Sequence, residues 1–255
     1  MMQSRWPAVL WIVRHGESAG NVARDAAHAS GLARIAIAQR DVDVPLSVRG
    51  VEQASALGDW FAGLPAEVRP QVVLTSPYLR ARRTADLIGS QGGFQPQRVE
   101  QAVDERLRER EFGVLDRLTS AGIHQLFPEQ AEARRVIGKF YYRPPGGESW
   151  CDVILRLRSA LDTISLHYAG RRVLIVGHQV VVLCLRYLIE SLTEAEILAI
   201  DRQGDVVNCG VTEYAFDPRA GQDGALSLVR YNFTAPLKAA GAPVTSAPDT
   251  PVAAR

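Results

Sequence analysis

The sequence predicts an α/β fold, a mainly parallel central sheet with helices on both faces in three layers. Three observations carry that prediction. Short apolar runs recur at residues 9–13, 71–75 and 172–176, as expected of strands buried on both faces. Segments with helical spacing or helix-capping residues lie between them. Polar turns rich in His, Ser and Arg follow the runs, where open α/β sheets bind their ligands.

Taken in order, residues 9–13 form the first strand. Residues 21–39, rich in Ala and Arg, are predicted as helix. Pro45 breaks the chain, and Ser47 caps a helix through Val51, Ala54, Leu57 and Phe61. Residues 71–75 form the second strand. Ser76-Pro77 then reads as a cap followed by proline at the first helical position, with helix to about Ile88. Residues 98–103 are a third strand, and a short helix precedes Pro128. Ser149 and Asp152 have capping-box spacing, so a long helix runs to about Tyr168. Residues 172–176 form a fourth strand, followed by a helix from Gln179 to about Glu190. Residues 211–216 and 226–231 are late strands. The pattern describes one domain over residues 1–235, with a helical cap at 21–40. The Ala- and Pro-rich stretch 236–255 is expected to be a mobile tail.

Composition excludes several classes. The chain has 255 residues, 47% of them hydrophobic, and a net charge of +1. No global field advertises nucleic acid or an anionic membrane as partner. No apolar run reaches the roughly 18 residues of a membrane span. The run from Trp6 is interrupted by Pro7 and stops at Arg14, so it reads as a strand and not as a leader. Cys151, Cys184 and Cys209 are too scattered for a disulfide framework or a zinc site. Reduced thiols and a cytoplasmic location are the expectation. Nothing in the pattern specifies an oligomeric state.

The chemistry concentrates in four clusters. Arg14-His15-Gly16-Glu17-Ser18 follows the first strand. Arg14 is a permanent cation with a planar fork suited to phosphate oxygens. His15 beside it has two sensible jobs, nucleophile or proton shuttle. Asn21 lies at a helix start, where backbone N–H groups bind anions. Arg80, Arg83 and Thr84 share one face of the helix after Ser76, and Arg80 is one turn in, placed to join a phosphate clamp. In Leu107-Arg108-Glu109-Arg110-Glu111-Phe112-Gly113, carboxylates lie among arginines, where a proton donor to a leaving oxygen belongs. Gly177-His178 repeats the strand-then-histidine design. Two strand-end histidines, two arginines and a carboxylate make a coherent set for phosphoryl transfer.

These blocks, in this order, resemble the histidine phosphatase superfamily, in the branch that contains cofactor-dependent phosphoglycerate mutase and fructose-2,6-bisphosphatase. The resemblance runs from about Val9 to Tyr231. It rests on Arg14-His15-Gly16-Glu17-Ser18 with Asn21, Leu46-Ser47 with Gly50 and Gln53-Ala54, Ser76 with Arg80-Ala81 and Thr84-Ala85, Glu109, and Gly177-His178. It implies a phosphoglycerate mutase-like fold and a metal-independent, cofactor-free phosphomonoester hydrolase. His15 would attack phosphorus in line. Arg14, Arg80 and His178 would hold the phosphoryl oxygens, with help from Asn21. Glu109 would protonate the leaving oxygen and then activate water; Glu111 is its rival for that role. Ser18, Asn21, Gln179, Tyr142 and Arg143 are the implied substrate-binding residues. His178-Gln179 and the stretch 142–149 are similar to the fructose-2,6-bisphosphatase pattern, yet Gly146 stands where that enzyme carries a lysine. The implied partner is a small phosphate ester. No matching carboxylate or cysteine cluster supports metal binding by His15 and His178. Two other readings remain: mutase-type return of the phosphoryl group, and a non-catalytic phosphate-binding module. Between Phe112 and Pro128 there is no long insertion to build a water-excluding lid, which favours hydrolysis.

Overall fold

The computed structural model describes residues 5–95 and 97–246. Its sheet has six strands in the order β3-β2-β4-β1-β5-β6. These are β1 (Val9–Arg14), β2 (Val72–Thr75), β3 (Glu100–Val103), β4 (Arg172–Gly177), β5 (Val211–Asp217) and β6 (Ala225–Phe233). β1, β2, β3 and β4 pair in parallel, whereas β5 runs antiparallel to β1 and β6 antiparallel to β5. The mainly parallel sheet of the sequence reading is therefore what forms.

Side-chain alternation along the central strands builds two cores, because successive residues face opposite sides. Leu10, Ile12, Val173 and Ile175 point to one face, where they meet α6 (Trp150–His167), α7 (Gln179–Ile189) and α8 (Glu194–Gln203). Trp11, Val13, Leu174 and Val176 point to the other and meet α2 (Val48–Ala62), α3 (Leu79–Gln91) and α9 (Ala235–Ala239). Phe61 of α2 is fully buried among three rings, edge to Trp11, Trp60 and Phe94. Truncating it to alanine should cost about 3–5 kcal/mol.

The expected caps form at α2 and α6. The Ser47 hydroxyl accepts from Gly50 N, and Ser149 with Asp152 closes a reciprocal capping box. Such a cap stabilises a helix by about 1 kcal/mol. The third capping box, Thr193 with Glu196, starts α8, an element absent from the sequence reading.

Four expectations need correction. The helix α1 spans Ala19–Ala29, so residues 30–40 are not a helical cap. They form an irregular strap whose backbone bonds to the 117–119 loop: Ile35 N donates to Arg117 O and Thr119 N donates to Ala33 O. Those tertiary bonds outweigh the helix propensity of an Ala-rich stretch. Second, α3 begins at Leu79, not at Pro77, because the Ser76 hydroxyl accepts from Tyr78 N and holds a turn there. Third, the short helix expected before Pro128 forms as α4 (Ser120–Leu126), but a second helix missing from the reading, α5 (Pro128–Ile137), opens at Pro128, as proline at a first helical position does. Fourth, the expected mobile tail is ordered at its start: Leu237 of α9 is fully buried, and Gln53 Nε2 donates to Pro243 O and Thr245 Oγ1. The rest of that stretch, residues 247–255, lies outside the described residues.

Candidate active site

The parallel register sets Arg14 of β1 beside Gly177 of β4, so the two strands end level. The next residue on each is a histidine. Both His15 and His178 are fully buried, with ring centroids 5.1 Å apart and planes at 66°.

The turn after β1 is built by close backbone approach. A Cβ on Gly16 would lie 2.4 Å from Gly50 O, and one on Gly50 would lie 2.0 Å from Glu17 O. Two glycines are needed because the chain after β1 and the first turn of α2 touch backbone to backbone. The junction is tied by hydrogen bonds from Gly16 N to Thr84 Oγ1, from Glu17 N to Gln53 Oε1 and from Ser47 Oγ to Glu17 Oε1.

This turn fixes the state of His15. Its Nδ1 lies 2.7 Å from Gly16 O, and a carbonyl can only accept. Nδ1 therefore carries the proton, and Nε2 presents the lone pair, the form a nucleophile requires. Arg80 Nε donates to that Nε2 at 3.2 Å. The His15 carbonyl accepts from Asn208 Nδ2, and the His15 amide donates to Gly177 O.

His178 is held from outside its own turn. Its Nε2 lies 2.8 Å from Ser76 Oγ, at the end of β2, and its Nδ1 lies 3.9 Å from Glu109 Oε2. The Tyr78 ring packs edge-on at 5.1 Å. Burial chiefly, then the charges of Glu111 and Asp41, push the Tyr78 hydroxyl well above the usual phenol range.

Arg14 and Arg80 are buried cations, 0% and 2% exposed. Arg14 Nη1 donates to Val206 O at 2.5 Å. Arg80 lies over the Tyr78 ring at 4.9 Å. Its Nη1 donates to the backbone oxygen of Asp41 at 2.6 Å and to Asp41 Oδ1 at 3.0 Å, and its Nη2 donates to Asp41 Oδ2 at 3.2 Å.

Glu109 is fully buried, and its Oε1 accepts from Arg110 N. The loop that carries it is tied down by Glu148. The Glu148 carboxylate accepts from Arg108 Nη2, from Arg156 Nε and Nη2, and from Glu111 N. Arg156 also donates to the carbonyls of Arg106 and Glu109. Arg110 donates to Glu148 O and Tyr142 O; burial first, then Arg134, pushes its guanidinium down to about 10. The rival acid, Glu111, is exposed and accepts from the Tyr78 hydroxyl at 2.9 Å.

The remaining candidates divide. Ser18 and Asn21 form the capping box of α1: Asn21 Oδ1 accepts from Ser18 N and Oγ, so what Asn21 can offer an anion is the donor end of its amide. Gln179 opens α7 directly after His178, and its Nε2 donates to Asp205 Oδ1. Tyr142 and Arg143 are placed elsewhere. Tyr142 is buried in a satellite cluster with Leu115, Leu118, Ile123 and Ala131, its hydroxyl donating to Gln130. Arg143 is an exposed partner of Asp152 at the start of α6, with Nε donating at 2.7 Å. Tyr142 is thus held by packing and a hydrogen bond, and Arg143 by an ion pair. Among the described residues, no group of three or more His, Cys, Asp or Glu side chains is arranged to hold a metal.

Asp41, Ser76, Glu148 and Arg156 escaped the sequence reading as site-shaping residues. Ser76 was legible as a helix-start residue, not as a histidine partner. A pair of polar residues beside Gly146-Gly147, namely Glu148 and Ser149, was the available signal for Glu148. Arg156 carries no local signal, because its partners are 8 and 47 residues away.

The arrangement sets a buried imidazole lone pair against the Arg80 guanidinium, with a second imidazole beside it and a carboxyl group beside that, and a second buried guanidinium, Arg14, on the neighbouring residue. It can take a tetrahedral dianion, attack it, and supply a proton to the group that leaves.

Comparison with known proteins agrees with that chemistry. Residues 10–223 match the histidine phosphatase superfamily (branch 1). A 6-phosphofructo-2-kinase/fructose-2,6-bisphosphatase of Caenorhabditis elegans is 30% identical over 224 residues, 85% of this chain. The match spans 43% of that relative's own length. A probable phosphoglycerate mutase, GpmB, of Photorhabdus laumondii is 33% identical over 178 residues, 69% of this chain and 72% of the relative. Among solved structures, YhfR of Bacillus stearothermophilus superposes with a TM-score of 0.70 at 27% identity, covering 90% of this chain and 98% of that one. A mycobacterial glucosyl-3-phosphoglycerate phosphatase, solved with VO3, superposes with a TM-score of 0.67 at 25% identity, covering 89% and 99%. The chain belongs to branch 1 of the histidine phosphatase superfamily.

Proposed function

We propose that this protein is a metal-independent phosphomonoester hydrolase acting on a small phosphorylated metabolite through a phosphohistidine on His15. The observation that carries the proposal is the hydrogen bond of His15 Nδ1 to Gly16 O, which leaves Nε2 as the lone-pair nitrogen beside Arg80.

In the proposed reaction, Nε2 of His15 attacks phosphorus as the ester bond breaks on the far side. Arg14 and Arg80 neutralise the non-bridging oxygens. His178, oriented by Ser76, donates to one of them. Glu109 gives its proton to the departing oxygen, then takes one from the water that cleaves the phosphohistidine. Burial beside His178 favours Glu109 over the exposed Glu111 for this role. The donor end of Asn21 is a further oxygen ligand. The reaction needs no cofactor. No described helix is long and apolar enough to cross a membrane, and all three cysteines are free. The free thiols support a reducing, cytoplasmic setting.

The test is phosphate release in EDTA from p-nitrophenyl phosphate, 3-phosphoglycerate and fructose 2,6-bisphosphate, comparing the native protein with His15→Ala. Release by the native protein and none by the variant is the expected result. Fast exchange of 3- and 2-phosphoglycerate without phosphate release would establish a mutase instead. Tight ester binding with neither reaction would make it a binding module.

A further inference from the structure

Asp41 sits where a phosphatase of polyanions would not want a carboxylate. It opens a short turn, Asp41–Asp43, between the strap and α2. Its carboxylate takes the outer edge of Arg80, Oδ1 on Nη1 and Oδ2 on Nη2, while the Nε edge of the same guanidinium faces His15. The Arg80 side chain is 2% exposed and that of Asp41 36%. The negative charge thus stands one guanidinium width from the nucleophile, on the open side.

Its field is felt by its neighbours. Burial first, then Asp41, raises the Asp116 carboxyl, with Glu111 contributing less. Glu111 and Asp41 both act on Tyr78. Asp41, Glu111 and Asp116 thus act on shared neighbours, and Asp41 itself sits on Arg80. The nearby Arg117 donates to Ile37 O and Gln39 O, which spends its forks on the strap. The strap itself is pinned by the Thr119 hydroxyl on Leu32 O and by the backbone bonds at Ala33 and Ile35. Asp41 is consequently a fixed charge, not a side chain on a loose loop.

We propose that Asp41 is a specificity-determining residue, selecting phosphate esters whose leaving group is neutral or carries an amine, and disfavouring those with a second anionic group. The inference rests on the phosphatase reading of the same site. In-line attack along the Nε2 lone pair, which points at Arg80 Nε, would send the leaving group toward the guanidinium whose far edge Asp41 holds. A second carboxylate or phosphate there meets a like charge. An ammonium group meets an opposite one.

The experiment compares kcat/KM for p-nitrophenyl phosphate, 3-phosphoglycerate and phosphoethanolamine in the native protein, Asp41→Asn and Asp41→Glu. Asparagine keeps an acceptor for Arg80 and removes the charge; glutamate keeps the charge. Relative to p-nitrophenyl phosphate, Asp41→Asn should gain about tenfold on 3-phosphoglycerate and lose several-fold on phosphoethanolamine. Asp41→Glu should keep the native order. The native discrimination should shrink as salt rises, which a purely positioning role would not produce. Ratios that agree between native protein and Asp41→Asn within about twofold, or a uniform fall in kcat on all three esters, would overturn the proposal. The same preferences are to be measured as dissociation constants in His15→Ala and His15→Ala/Asp41→Asn proteins. If no ester releases phosphate, the phosphatase reading falls, while the binding ratios still decide the role of Asp41.

Discussion

The two histidine turns look like copies of one design, yet they are held in different ways. Each follows a central parallel strand, at the same level of the sheet, and each histidine is fully buried. His15 is oriented by the carbonyl of the residue after it, within a turn that two glycines shape. His178 is oriented by a serine 102 residues away and lies beside a glutamate on a third loop. The proposed nucleophile thus takes its ring orientation from its own turn, and its proposed helper takes it from the tertiary fold. The Nδ1 bond of His15 moves with its own turn, whereas the Nε2 bond of His178 needs β2 and β4 in register.

Substitutions separate the two. His15→Ala should abolish phosphate release, by about ten-thousandfold or more, and no acid-labile phosphoenzyme should be trapped. His178→Ala should slow turnover about a hundred- to a thousandfold while a phosphoenzyme can still form. A phosphoenzyme in the His15 variant would reverse the assignment.

The local turn is broken by its glycine. Gly16→Ala drives a methyl into Gly50 O and should destabilise the protein by about 2–4 kcal/mol, read as a lower urea midpoint at unchanged slope. The distant anchor is broken more gently. Ser76→Ala should lower kcat about tenfold while stability changes by about 1 kcal/mol, leaving His15 phosphorylation intact.

The smallest effect belongs to the loop that carries Glu109. Burial would raise the Glu148 carboxyl, but the Arg156 hydrogen bond and charge, the Glu111 amide and Arg108 together hold it below the usual range. A carboxyl lowered on folding adds stability above its unfolded pKa and loses it as pH falls through the folded one. Glu148→Gln should therefore be less stable than the native protein near neutrality, with the difference vanishing in acid. A gap that persists at low pH would mean that packing, not charge, holds the loop.

The same contrast explains what the sequence disclosed. The Arg14-His15-Gly16 turn and the Ser149–Asp152 cap are contacts between near neighbours, so they leave a local pattern. The strap at 30–40 does not. Its composition favours helix, while its backbone partners, Arg117 and Thr119, lie about eighty residues on and leave no trace nearby. Tyr142 and Arg143 have partners that a local pattern does not show. Their position in a glycine-rich loop resembled a substrate loop, but Gln130 and Asp152 claim their polar ends. Asp41 was invisible because an aspartate near a proline is ordinarily a turn residue.

The level ending of β1 and β4 has a kinetic meaning as well. Their pairing joins residues 9–14 to residues 172–177, across most of the chain. A slip of one residue would move a histidine by about 3.3 Å and turn its side chain to the opposite face. Helices and hairpins formed early in refolding therefore bring no partial turnover. The appearance of activity in a refolding experiment is a clock for the moment at which β1 and β4 find each other in register.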